Sequence, residues 1–391
     1  MERRGRRGRR GRRYLLVSLL CCASLFLYLN ASSLSLSSSY LQLKDLPAAN
    51  ATLGFGAVLA VSRPTSPRRG GLLIAANITE IDISIPRQPS WTDEDVRGVQ
   101  AVEHSRIGRG SALAWLGHLN ALRWFLDSGL ETALILEDDV DWDIHLRTSQ
   151  IPKVAAAVRQ LTHQPSPSPY YYGSPDDWDI LYLGHCGDIF KPERWTADVP
   201  RMALPDNTLA WRKTMHPKTQ AFLRNIHVKE KVRLVHKSIF PLCTFGYAVT
   251  RSSAHRLLHD VARREQDGGT VAYDVRILEA CRDLGFRCWS ANPELFHHMQ
   301  APSEIASVEA GGGVDDEGRL MGEFGKGTTN LACGARSRDY FTRDPKTLEY
   351  LREEVGRKGQ CLRQVLDEPP KRPRSSLAQR ISSLLARRAA S

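Results

Sequence analysis

Five carboxylates fall within seven residues, at Glu137, Asp138, Asp139, Asp141 and Asp143, directly after the apolar run Ala133-Leu134-Ile135-Leu136. Like charges at this density repel one another, raise carboxylate pKa values and destabilise a fold unless a cation neutralises them. Clustered oxygen donors suit a hard ion, Mg2+ or Mn2+, and such an ion suits a phosphate-bearing substrate. A solvated acidic turn has the same composition, but the abrupt change from apolar to acidic favours the cation.

The residues before the cluster say what holds it. A short apolar run ending in polar residues reads as a buried strand whose end carries the chemistry. Leu113, Trp115, Leu116, Leu119, Leu122, Trp124 and Phe125 recur at helical spacing before it, and Gly129 stops that helix. Strands are expected over Gly54–Val61, Ile81–Ile85, Trp178–Gly184, Phe245–Thr250 and Phe286–Ser290. Helices are expected near Gly71–Ala76 and over Ile151–Leu161, Ser252–Arg264 and Val271–Leu284. Residues 191–236 are polar and give no clear pattern, and 303–340, with Gly311-Gly312-Gly313, read as a loop. Strands alternating with helices predict an α/β domain with a mainly parallel sheet.

The ends differ from the body. Residues 1–13 contain eight Arg and one Glu, and 371–391 contain six Lys or Arg and no acid. Those two ends account for more than the whole net charge of +11, so the body between them is close to neutral. Nucleic-acid binding by the folded part is therefore not expected. Tyr14–Leu29 is apolar behind the Arg block, which predicts a membrane signal anchor with its Arg end cytosolic. A cleaved signal peptide is the alternative. The predicted organisation is a cytosolic tail (1–13), the anchor (14–29), a Ser-rich stem (30–52), a catalytic domain (53–366) and a basic tail (367–391). Sequons at Asn30, Asn50 and Asn77 agree with a lumenal body, as do Cys186, Cys243, Cys281, Cys288, Cys333 and Cys361, which permit three disulfides. Cys281 and Cys288 are close enough in sequence to pair locally. Localisation in the Golgi or endoplasmic reticulum membrane follows as the expectation.

Several segments together resemble glycosyltransferase family 25, the group of lipopolysaccharide and procollagen galactosyltransferases, and most closely its fungal-type branch. They are GFGAVLAV, the helix ending Gly117-His118-Leu119, LILEDDV, DILYLGHCGD and CTFGYAVTRSSAHRLL. The resemblance covers roughly 54–300. It implies a GT-A fold, a Rossmann-like sheet that holds a UDP-sugar and a divalent ion, with transfer to a glycan or glycoprotein acceptor. Carried onto this chain, it implies Asp139 and Glu137 as metal ligands, with Glu137 or Asp138 also near the nucleotide. It implies His297 or His298, with His298 favoured, as a further ligand. It implies Asp274 as the base for an inverting transfer, a helix-terminal acid being the bland alternative. Arg68 and Arg69 match the basic end of the nucleotide loop, and His118 is a donor contact or a core histidine. Asp141 and Asp143 are expected to face water or to hold the loop. Competing classes are a lumenal metal-dependent phosphohydrolase and an inactive glycan-binding membrane protein.

Overall fold

The computed structural model describes residues 46–163, 169–188, 192–196, 198–268, 270–299, 305, 308 and 329–362. The expected anchor and both basic tails lie outside them. Among the described residues no helix is long and apolar enough to cross a membrane.

The domain is α/β. Strand β1 (Ala57–Val61) pairs in parallel with β2 (Thr132–Glu137), from Ala57 opposite Ala133 to Val61 opposite Glu137. Next to β2 runs β7 (Gly246–Thr250), reversed, then β4 (Ile180–Gly184), β8 (Cys288–Asn292), β6 (Val232–Lys237) and β5 (Arg201–Pro205). Two short strands, β3 (Val140–Trp142) and β9 (Phe296–His298), form an antiparallel pair off this path, and β9 also touches β4.

The sheet is mixed, with more antiparallel than parallel pairings, which corrects the mainly parallel expectation. A crossover helix returns the chain to the edge where the previous strand began. Between β4 and β7 the chain instead makes β5, helix Pro217–Asn225 and β6, and so enters β7 from the carboxyl edge of β2 and β4. The expected strand at Ile81–Ile85 is only a single bridge, Leu59 to Ser84, because Ile81 still donates back to Ala76 of the preceding helix. The helix expected over Ser252–Arg264 is α-helical only over Arg251–Arg256 and continues as a π-turn, Leu257–Val261. Folded structure also begins earlier than the composition change suggests. Ala49, expected in the stem, is buried and its N–H donates to Arg147 O at 2.9 Å.

The apolar run of β2 is continuous because both faces of the sheet are covered. Ala133 and Ile135 meet helix Arg109–Asp127 in a core that includes Trp115, Leu119, Leu122 and Phe125, while Leu134 and Leu136 are equally buried. All six body cysteines pair, as Cys186–Cys243, Cys281–Cys288 and Cys333–Cys361.

Part of the expected loop 303–340 is a strap. Residues 333–336 lie along β3: Ala335 N–H donates to Trp142 O at 2.7 Å and Ile144 N–H to Cys333 O at 3.0 Å. The close approach requires Gly334, where an added Cβ would lie 2.2 Å from Asp141 Oδ2. Gly334→Ala is expected to destabilise the domain by about 1–3 kcal/mol, the usual result of overfilling a packed site. An unchanged denaturation midpoint would show that the strap accommodates the methyl group.

Candidate active site

The carboxyl ends of β1, β2 and β4 and the amino end of β7 meet at one edge of the sheet. Every candidate except Arg69 is gathered there or directly behind it. The acids divide sharply by partner. Asp138 is buried: Ser62 Oγ donates to its Oδ2 at 2.5 Å, and the Arg68 guanidinium lies 3.6 Å from its Oδ1. Arg68 is closer to Asp139, at 3.1 Å from Oδ2. The other oxygen of Asp139, Oδ1, is buried and has no hydrogen-bond donor among the described residues. Desolvation raises the Asp139 pKa and Asp138 adds to it, with Arg68 and His298 opposing.

Glu137 faces the other way. Thr244 Oγ1 donates to its Oε1 at 2.6 Å, and His118 Nε2 lies 3.8 Å off. His118 is buried, stacked on the Tyr273 ring at 4.7 Å and 3.2 Å from the Tyr247 hydroxyl. Burial pulls its pKa down to about 3, so it stays neutral and gives Glu137 no counter-charge. The structure thus places His118 behind Glu137 as a core histidine, without the exposure a donor contact needs. Desolvation, then the charge of Asp139, push Glu137 up to about 8, against the Thr244 hydrogen bond.

A pH dependence follows. Between the ordinary glutamate value, 4.5, and about 8, folded Glu137 holds a proton that the unfolded chain has lost. The folded state therefore binds more protons, and this residue's contribution to stability falls as pH rises through that window. The denaturant midpoint of the native chain, relative to Glu137→Gln, is expected to drop from pH about 5 to pH about 8. A difference that is flat, or that grows in favour of the native chain, contradicts the assignment.

Asp141 and Asp143 are 1% exposed, which settles their expected alternatives: they hold a loop and do not face water. Asp141 Oδ1 accepts from Arg336 N–H at 2.9 Å, and Asp143 Oδ2 from Cys333 N–H at 2.9 Å. Both therefore bind the strap. Nothing local in the sequence singles out Arg336. It is buried, and its guanidinium donates to Asp138 O at 2.6 Å, Val140 O at 2.9 Å and Arg68 O at 2.9 Å. One side chain thereby fixes the acidic turn and the backbone of Arg68.

The two histidines of β9 separate by strand alternation. His297 forms an ion pair with buried Glu294 and its Nε2 lies 3.1 Å from Thr329 Oγ1. His297 outweighs burial and holds Glu294 down to about 2. His298 is exposed on β9 opposite Val140, and its imidazole interacts electrostatically with Asp139. Met299 N–H donates to Asp139 O at 2.8 Å, which ties the two segments together.

Asp274 stands in the first turn of helix Tyr273–Asp283, whose N-cap is Ala272, so it is not the cap. Its Oδ2 accepts from Cys243 N–H and its Oδ1 from Val275 N–H, both at 2.9 Å. It is close enough to Glu137 to raise that group's pKa. Arg69 reaches back to Arg63 O at 3.5 Å, away from the acids, while Arg68 turns in.

A divalent ion is tested by these donors. The buried, undonated Oδ1 of Asp139 and the adjacent imidazole of His298 fit one, and Mg2+ or Mn2+ needs few protein ligands when phosphate and water supply the rest. Glu137 fits less well, because one of its oxygens is taken by Thr244. Among the described residues no three His, Cys, Asp or Glu side chains gather into a metal-binding group.

No model of a known protein family matches the sequence, and no curated protein matches it.

Proposed function

We propose that the chain is a glycosyltransferase of GT-A type. It moves a hexose, with galactose the first donor to try, from a UDP-sugar to a hydroxyl of a glycan or glycoprotein, with inversion. Its place is the Golgi or endoplasmic reticulum membrane, held by the apolar segment 14–29, with the body lumenal. The observation that carries this reading is the carboxylate edge. Asp139 offers a buried oxygen with no donor among the described residues, beside a buried guanidinium, at the end of a parallel strand pair.

The roles follow from position. Asp139 and His298 would hold Mn2+ or Mg2+, which when bound neutralises negative charge on a departing diphosphate. Arg68 has the planar donor set for phosphate. Asp274 receives the proton of the acceptor hydroxyl as the oxygen attacks the anomeric carbon. The Cys243 and Val275 N–H groups hold its carboxylate in one orientation, which favours a fixed base over a mobile one.

The test is UDP release from a panel of UDP-sugars with Mn2+. Release from one hexose donor supports the reading, and stabilisation of the fold by UDP should shrink when EDTA is added. One observation favours a second reading, a glycan-binding protein without turnover: Arg68 already neutralises the carboxylates that a metal would use. Glycan binding with no UDP release from any donor would establish that alternative.

A further inference from the structure

Helix Arg251–Arg256 and its continuing π-turn, Leu257–Val261, carry two exposed histidines, His255 and His259, four residues apart. Residues at this spacing lie on one face of a helix, one turn apart. Ser253, Ala254, Leu257 and Leu258 of the same stretch are buried against the core, so the histidines point outward. Their ring centres are 4.4 Å apart at 45°. Two imidazoles bound cis to one ion, each nitrogen about 2.0–2.1 Å from it, hold their ring centres roughly 4.5–5 Å apart. The observed ring spacing is therefore already close to that of a two-imidazole chelate. Among the described residues neither ring makes a hydrogen bond or ion pair that would compete.

We propose that His255 and His259 form a second metal site, a two-imidazole chelate for a borderline transition ion: Cu2+ first, then Ni2+ and Zn2+. The order follows from the general affinity series for nitrogen donors. The platform is rigid. Thr250 and Ser253 close a capping box at the start of the helix, and Ser253 Oγ donates to Asp179 O at 2.6 Å. Arg256, the nearest cation in sequence, is drawn away by Asp179 at 3.7 Å and by the Phe286 ring at 3.8 Å. Both imidazoles are exposed, so water can fill the remaining positions. A chelate with two nitrogen ligands exchanges its ion readily and leaves Mg2+ and Mn2+ to oxygen donors. The site stands apart from the acidic turn and does not depend on the transferase reading.

The test is calorimetric titration of the full chain with Cu2+ and Ni2+, compared with His255→Ala, His259→Ala and, as a control, the exposed His227→Ala. Each of the first two substitutions is expected to weaken the tightest binding event at least tenfold and the control to leave it unchanged. All three residues are exposed, and unchanged thermal midpoints without metal would confirm that folding is intact. Wild-type affinity and stoichiometry in both His255→Ala and His259→Ala would overturn the proposal, as would an equal loss in the control.

Discussion

Replacing Asp139 with alanine is expected to abolish release of UDP from the preferred donor while leaving the fold intact. The loss should be at least roughly 10³-fold, because a cation contact at a developing diphosphate charge contributes several kcal/mol to the transition state. Stability moves little or rises. Asp139 is a desolvated carboxylate among like charges, and Arg68 retains Asp138 when Asp139 is gone. This combination distinguishes a chemical role from a structural one. Asp141→Ala should do the reverse: it strips the partner from Arg336 N–H and destabilises the strap, with turnover falling only as the folded fraction falls. Equal loss of stability in both variants would mean that the whole acidic segment is structural. Donor turnover that survives Asp139→Ala would remove the metal from the proposed chemistry.

The second large effect belongs to Arg336→Ala. The substitution removes the donors to Asp138 O, Val140 O and Arg68 O in a buried setting, and each carbonyl left unpaired costs about 1–3 kcal/mol. The total, about 3–5 kcal/mol once water and local relaxation recover part of it, is a large share of the stability of an ordinary domain. Denaturant unfolding at neutral pH measures it. Arg336→Lys should recover only part of the loss, because an ammonium on a flexible stem cannot match a planar fork aimed at three carbonyls. A lysine variant as stable as the native chain would show that charge, and not the geometry of the fork, is what the turn requires.

The sequence made the acidic turn legible because its signal is local: an apolar strand and its polar end are neighbours in the chain. The same holds for the long amphipathic helix before it and for the Cys281–Cys288 pair. The direction of β7 was not legible, since strand polarity depends on where the preceding excursion ends and not on the strand's own residues. Which of the two alternatives holds for Asp141 and Asp143 is not legible for a related reason. Their partners, Arg336 and Cys333, lie about two hundred residues away and carry no periodic signal of their own. Alternation along β9 does separate His297 from His298, but a three-residue strand is too short to announce itself. Thr244 and Tyr247 stood in the quoted CTFGYAVT segment, yet nothing in that string reveals that they back Glu137.

The strap has a consequence for the order of events during synthesis. The acids of the turn leave the ribosome long before Arg336, 198 residues downstream of Asp138, exists to hold them. During that interval the nascent chain can assemble β1, β2 and the helix Arg109–Asp127 from nearby segments, and Ser62 and Arg68 can already meet the acids, but the turn lacks every contact that the strap supplies. The site is therefore completed last, after the surrounding sheet is in place. A nascent chain halted before residue 329 would carry most of the core and none of the strap that fixes its acidic turn.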